Sequence, residues 1–389
     1  MKTLIELYDD SPIVNVLATL VFSPQECVLL CPPEIAKSRE LKSAVKNFLK
    51  HRGIDTKLTF IPVSMDNAVK IARVMKEVQD SHQDCAINIS GGSDAALFAA
   101  GAVAYKCLTP VFTYSRRKNA FFEINNASFA RGVVPNIKLD VESSLLMAGG
   151  TLLPGRADNA ELESRIEQID SLFAIYGKYR RIWNRQISWF QKVSSSEPGV
   201  LEVSGPLTEH TGNGNVTVEQ SLFTALAQSK LILDLEITED SIRFRFPDET
   251  VRFWLRDVGA VLELQLWRAC KAAGCFDDVV LSAIVNWQNG SIRSDSVTNE
   301  IDVMAVQELR PVFISCKACE VHTEALNELS ILRERFGGKY SRAILATSGI
   351  AGSRNRASVR NRAAKLGIEL IEWEDLSLDR LIARLRNQE

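Results

Sequence analysis

The side chains best placed to do chemistry lie between Asn299 and Lys317, in the run N-E-I-D-V-M-A-V-Q-E-L-R-P-V-F-I-S-C-K. Two apolar runs flank a short polar turn, which predicts a β-hairpin. Strand side chains alternate in direction, so Glu300, Asp302 and Met304 are expected on one face of the first strand. On the second strand Ser315 and Lys317 share one face, and Ile314 and Cys316 the other. A register that joins the polar faces brings carboxylates and an ammonium together inside an apolar hairpin. Buried charges need a partner or a metal. A salt bridge would account for one Asp–Lys pair. The chemistry the set suits is metal-dependent phosphodiester hydrolysis. Asp302 would hold Mg²⁺ or Mn²⁺, hard cations that prefer carboxylate oxygens. The backbone carbonyl of Cys316 could be a further ligand. Lys317 would orient or help deprotonate the attacking water and offset charge on the phosphate.

This arrangement resembles the PD-(D/E)xK nuclease superfamily, which places an Asp on one strand and acid-x-Lys on the next. Ser315 stands where the second acid belongs. Glu300, on the Asp302 face, could substitute, and so could Glu263, inside the helical run V-L-E-L-Q-L-W. The surrounding pattern predicts a helix over Trp254–Ala272, a strand over Asp278–Trp287, a turn at 288–291, the hairpin, a helix over His322–Phe336 and a strand over Arg342–Ala346. That order, α-β-β-β-α-β, is the one the superfamily shows. A helix over Ser353–Leu366 carries Arg354, Arg356, Arg360, Arg362 and Lys365, either a phosphate-contacting face or a solvated one. Cys316-Lys317-Ala318-Cys319 is a C-x-x-C, but a structural zinc site needs four ligands and no second pair exists. Nor does the first Cys sit at a helix N-terminus, as redox pairs do.

These elements must be carried by a chain of 389 residues, too long for one ordinary core. The charge is nearly balanced, 46 Lys and Arg against 48 Asp and Glu, so any nucleic-acid contact must be a local patch. No apolar run reaches transmembrane length, and no signal peptide is expected. The 8 Cys are scattered through core-like segments, which suits a reducing cytoplasm, and with no spanning run no membrane partner is expected.

Strands and helices alternate through the first 145 residues, which predicts a doubly wound, mostly parallel sheet. Ligands bind such sheets at the carboxyl ends of the strands. Two loops fall there: Tyr8–Asn15, with Ser11 and Asn15, and Asn88–Asp94, with Ser90, Gly91, Gly92 and Ser93. Gly-Gly lets a backbone approach an anion near a helix start. The plainer reading is a tight turn with Ser93 or Asp94 as N-cap. A dinucleotide-binding G-x-G-x-x-G is absent. The run N-I-S-G-G-S, opening a helix after a late strand, resembles the CARF domain of type III CRISPR systems, and Asp94 departs from it. From Asp140 to 247 the pattern predicts a loop over Val141–Asp158, a helix, basic residues interleaved with Tyr179, Trp183 and Trp189, and a hairpin over Leu231–Phe246. Helix followed by hairpin suggests a small winged-helix-like connector. The interleaved run either binds single strands or is an amphipathic helix.

The whole chain therefore resembles the CARF–nuclease effectors of type III CRISPR immunity. The resemblance implies an α/β architecture: a Rossmann-like CARF domain over 1–145, the connector over 146–247 and a restriction-endonuclease-like domain over 248–389. It implies a homodimer that binds cyclic tetra-adenylate across paired sensor domains and activates a metal-dependent nuclease. RNA and DNA, chiefly single-stranded, are the implied substrates. The alternative is a ligand-sensing regulator that binds nucleic acid without cutting it.

Overall fold

The computed structural model describes the chain except residues 156–157, 289–295, 320, 350–352 and 388–389, and the side chains of 339 and 353–355. Most of the turn expected at 288–291 therefore lies outside the described residues, as does the side chain of Arg354.

The first sheet contains β1 (Thr3–Leu7), β2 (Glu26–Cys31), β3 (Lys57–Pro62), β4 (Cys85–Asn88), β5 (Val111–Ser115) and β6 (Ala120–Asn125), in the order β3-β2-β1-β4-β5-β6. β1 to β5 run parallel and β6 turns back on β5. The strand order reverses between β1 and β4, which makes that carboxyl edge the switch point. β1 is buried at every position, as expected of a central strand covered on both faces. Ile71, Met75 and Val78 of one helix and Ala96, Ala99 and Val103 of another cover one face. Leu17, Phe48 and Leu49 cover the other. The fold here is Rossmann-like.

Part of the segment expected to be loop-like is regular structure. Val141–Met147 is a helix whose cap, Asp140, accepts from Ser143 N at 2.6 Å. β7 (Thr151–Leu153) then pairs antiparallel with a strand of the C-terminal sheet. Three residues are too few for alternation to be legible in sequence. Ile166–Val193 is one helix of 28 residues. It buries Tyr176, Tyr179, Trp183 and Trp189, so the basic–aromatic run is an amphipathic helix with its rings inside. β8 (Glu202–Pro206), β9 (Thr208–Thr211), β10 (Gly214–Thr217), the helix Gln220–Gln228, β11 (Leu233–Ile237) and β12 (Ser241–Arg245) complete this region. β11, β12 and β8 form an antiparallel sheet.

The expected helix over Trp254–Ala272 is two: Glu249–Trp254 and Ala260–Ala273. Asp257 Oδ1 holds the break by accepting from Gly259 N at 2.7 Å. The second sheet has β13 (Asp278–Asn286), β14 (Thr298–Gln307), β15 (Arg310–Lys317), β16 (Arg342–Thr347) and β17 (Glu369–Ile371), in the order β17-β16-β15-β14-β13-β7. Val303, Ala305, Ile314 and Cys316 pack with the helix Ala260–Ala273 in one core. Met304, Phe313 and Phe336 share the other with Ile13, Val14 and Leu17 of the first unit. The two sheets are thus joined through a continuous apolar core.

The glycines after β4 serve this packing. A Cβ on Gly91 would lie 2.8 Å from Asp9 Cβ and Val14 Cγ1. Gly92 has φ +102°, and a Cβ there would lie 2.9 Å from Leu7 Cβ. Gly92→Ala should therefore cost about 1–3 kcal/mol, through left-handed backbone strain and that contact. Urea unfolding followed by circular dichroism should show an earlier transition. An unchanged midpoint would mean that the loop is not packed this way.

Candidate active site

β14 and β15 pair with Val303 opposite Ile314, Met304 opposite Phe313 and Gln307 opposite Arg310. That register brings Asp302 beside Ser315 and Lys317. Three donors converge on Asp302 Oδ2: the Cys316 N–H at 2.5 Å, the Ser315 hydroxyl at 3.2 Å and Lys317 Nζ at 3.8 Å. Oδ1 takes none of these contacts. Alternation alone would put Asp302 and Met304 on one face. The strand instead distorts at Asp302: Ile301 joins the core of Met304, while Val303 points into the other. Opposite this point, between the pairs Leu281–Val303 and Ala283–Ile301, Ser282 of β13 has φ +50°. Distortions of this kind re-aim side chains beside functional sites.

Glu300, Asp302, Ser315 and Lys317 line one small cavity of about 40 Å³ under the helix Thr323–Gly337. Glu263 approaches from the opposite layer and lines another cavity, of about 250 Å³, with Leu281 and Ser282. Burial first, then the charges of Asp302, Asp257 and Glu300, push the Glu263 carboxyl up to about 8; Lys317 opposes the shift. Burial also raises Asp302, against the pull of Lys317 and the Cys316 N–H. The site is thus short of positive charge. Glu328 lines the Asp302 cavity and accepts from Asn299 Nδ2 at 2.9 Å. The sequence reading passed over it, because a lone acid on a helix carries no pattern.

The donors suit a hard cation in kind. Lys317 O accepts from Ser348 N beside β16 at 3.2 Å. Strand alternation therefore turns the Cys316 carbonyl toward the β14 side of β15. Among the described residues no three His, Cys, Asp or Glu side chains cluster tightly enough to enclose an ion. The set expected from the sequence, the carboxylates of Asp302 and Glu263 with the Cys316 carbonyl, forms no such cluster, and the two carboxylates line different cavities. The eight cysteines are all unpaired thiols.

The residues expected to line a ligand site at the first sheet are largely engaged within the chain. Asn15 Oδ1 accepts from Asp9 N at 2.8 Å and its Nδ2 donates to Asp9 O at 2.7 Å, which closes the loop after β1. Ser11 is fully buried, and Gly338 of the second unit lies against it: a Cβ there would sit 3.0 Å from Ser11 Cα. Ser93 caps the helix Asp94–Cys107, accepting from Ala96 N at 3.2 Å and donating to Met65 O. Ser90 Oγ accepts from Tyr114 N at 2.8 Å and borders a wide cavity. The basic triplet Arg116-Arg117-Lys118 borders the same cavity. The sequence reading missed it, although three consecutive cations directly after a strand were a visible signal.

A second basic surface lies at the carboxyl end of β15 and β16. Arg180 stacks over Trp373 at 4.0 Å and donates to Ser348 O at 3.4 Å. Arg356 and Arg360 both pair with Glu372. Arg362 donates to Asn327 Oδ1 at 2.9 Å, so part of the expected arginine face is occupied within the chain. Arg180, Arg356 and Arg360 border a groove of about 830 Å³ that reaches Ala318, next to Lys317.

The fold of the whole chain is similar to that of protein VC1899 from Vibrio cholerae, with a TM-score of 0.73 and 17% identity over 98% of this chain and 96% of that one. It is also similar to Can2 from Sulfobacillus thermosulfidooxidans, whose structure is in complex with cyclic tetra-adenylate. There the TM-score is 0.71 and the identity 15%, over 99% of each chain. No family model and no curated protein matches the chain. Among the described residues no helix is long and apolar enough to cross a membrane.

The raised Glu263 carboxyl carries a consequence for stability. Its folded value, about 8, lies above the ordinary carboxylate range, so the folded state favours the protonated form. The stability this contributes is complete at acid pH, below the unfolded value, and is lost as pH rises through about 8. In chelator-treated protein the thermal midpoint should fall between about pH 5 and 8.5, and Glu263→Gln should flatten that fall. Equal slopes for wild type and variant would remove Glu263 from the charge cluster.

Proposed function

We propose that the chain is a cyclic-oligoadenylate-activated, metal-dependent nuclease of type III CRISPR defence, with a CARF-type sensor, a winged-helix-like connector and a PD-(D/E)xK-type nuclease domain. The observation that carries this reading is the convergence of Ser315, the Cys316 N–H and Lys317 on Asp302, with Glu263 facing them in a site short of positive charge. The element order around the hairpin and the fold shared with a cyclic tetra-adenylate complex support it.

In this reading Asp302 Oδ1, Glu263 and the Cys316 carbonyl hold Mg²⁺ or Mn²⁺. Such an ion supplies charge stabilisation at the phosphate and acidifies a bound water. Asp302 Oδ2 is held in place by the Cys316 N–H and the Ser315 hydroxyl. Lys317, about one-third exposed and within 4 Å of that oxygen, reaches toward solvent, where its ammonium can donate to and orient the attacking water and offset charge on the phosphate. Ser315 is uncharged, so its hydroxyl steers Asp302 and adds no charge to the donor set. The Arg180–Trp373 stack offers a cation and a ring face to a single-stranded substrate, RNA or DNA.

The homodimer in this proposal uses the helix Asp94–Cys107. It buries Ala96, Ala99 and Val103 but leaves Leu97, Phe98 and Tyr105 exposed, as it does its C-cap Leu108, with open space over Gly101. An apolar face of that extent suits a second copy of the chain.

Asp302→Asn should abolish metal-dependent cleavage of single-stranded RNA and DNA in the presence of cyclic tetra-adenylate. Lys317→Ala should lower turnover by roughly two to four orders of magnitude with little change in metal binding. Ser315→Ala should cost much less than either. Full activity in both Glu263→Gln and Glu300→Gln would rule out the metal site as drawn. A wild type that cuts nothing with metal and activator present would leave the second reading, a nucleic-acid-binding regulator, which Ser315 in the acid position favours. In sedimentation, Phe98→Glu should convert a dimer to a monomer, and a monomeric wild type would rule out the dimer.

A further inference from the structure

A cavity of about 680 Å³, within the size range of small-molecule sites, is lined by residues of both units. Ser90, Tyr114, Arg116, Arg117 and Lys118 border it from the first, and Arg310 from the start of β15. Four cations therefore face one space, and among the described residues Glu308 is the one acidic side chain in its lining. Among the described residues none of the four has a carboxylate within ion-pair distance. Arg116 is half-buried and stacks on the Tyr340 ring at 3.5 Å. Burial, with Arg310 nearby, pulls its guanidinium down to about 10. Dehydrating a guanidinium next to another cation is unfavourable, and an anion would offset it.

The Arg310 wall is the turn of the hairpin that carries the candidate catalytic residues. Glu308 and Leu309 have φ +49° and +67°, the backbone of a tight hairpin turn made without glycine. Leu309 is buried in the core it shares with Ile13, Val14 and Leu17. Seven residues separate Arg310 from Lys317, about 23 Å of strand. One rigid hairpin thus has its turn at the cavity and its other end at Asp302 and Lys317.

We propose that this cavity binds the phosphate groups of a nucleotide ligand, held by Arg116, Arg117 and Lys118 from the first unit and Arg310 from the catalytic hairpin. Phosphate is the fitting class because arginine forks take its oxygens in pairs. Tyr114 and Tyr340 add ring surface beside the cations. The ligand pulls the Arg310 wall toward the triplet, and the hairpin carries that bias to the nuclease site. The identity of the ligand as an oligoadenylate rests on the function proposed above; the cation set does not.

The test is calorimetric titration of the full-length protein with cyclic tetra-adenylate and, separately, with inorganic tripolyphosphate. The variants are Arg117→Glu with Lys118→Glu, both exposed positions, and Arg310→Ala, each checked for a wild-type circular dichroism spectrum. The expected result is tight wild-type binding of cyclic tetra-adenylate that weakens at least about tenfold in each variant. Wild-type affinity in every variant would overturn the site while leaving the oligoadenylate reading standing. A loss confined to the triplet variant would overturn the role of the hairpin wall. If wild type binds no cyclic tetra-adenylate, the oligoadenylate reading fails. Tripolyphosphate then decides the cavity: binding that the charge reversals abolish upholds it, and absence of binding overturns it.

Discussion

One hydrogen bond sets the geometry of the candidate active site. The Cys316 N–H donates to Asp302 Oδ2 across the β14–β15 ladder. A backbone donor cannot swing away as a side chain can, so it fixes the carboxylate relative to the strand that carries Lys317. This contact exists only because Val303 lies opposite Ile314. A one-residue slip would turn every side chain of one strand to the other face. Met304, Val306 and Phe313 on one side and Val303, Ala305 and Ile314 on the other are all buried, and that burial forbids the slip.

The same register has an electrostatic side. Asp302, Glu263 and Glu300 repel one another with one ammonium among them. Folding tolerates this because the apolar cores above and below the sheet supply the stability the site gives up. A site held in that state is preorganised for positive charge, whether a cation or protons.

The two units do not meet as separate bodies touching at their surfaces. Ile13, Val14 and Leu17 share one core with Met304, Leu309, Phe313 and Phe336. Arg335 adds a bond to Ala148 O at 2.7 Å and an ion pair with Glu40 at 3.2 Å. A displacement of the loop after β1 is therefore felt by the sheet carrying Asp302, since close-packed interiors transmit strain.

Much of this was legible in the sequence because it follows from short periods. Two-residue alternation gave away the hairpin and the approach of Asp302 to Lys317. Alternating strands and helices gave the doubly wound first sheet, whereas the basic–aromatic run left two readings open until the folded chain buried its rings. Other features were settled only by tertiary contact. Ser11, Asn15, Gly91 and Gly92 are small or polar at a ligand-binding edge, yet the folded chain engages them in its own loop packing. β7 joins a sheet whose other strands lie more than a hundred residues away. The distortion at Ser282 and Asp302 appears in no pattern, since each strand reads as regular by itself. The sequence determined which elements form, because propensity and periodicity act over a few residues. Which polar groups stay available for chemistry was decided by the tertiary structure, because that depends on what a distant segment places against them.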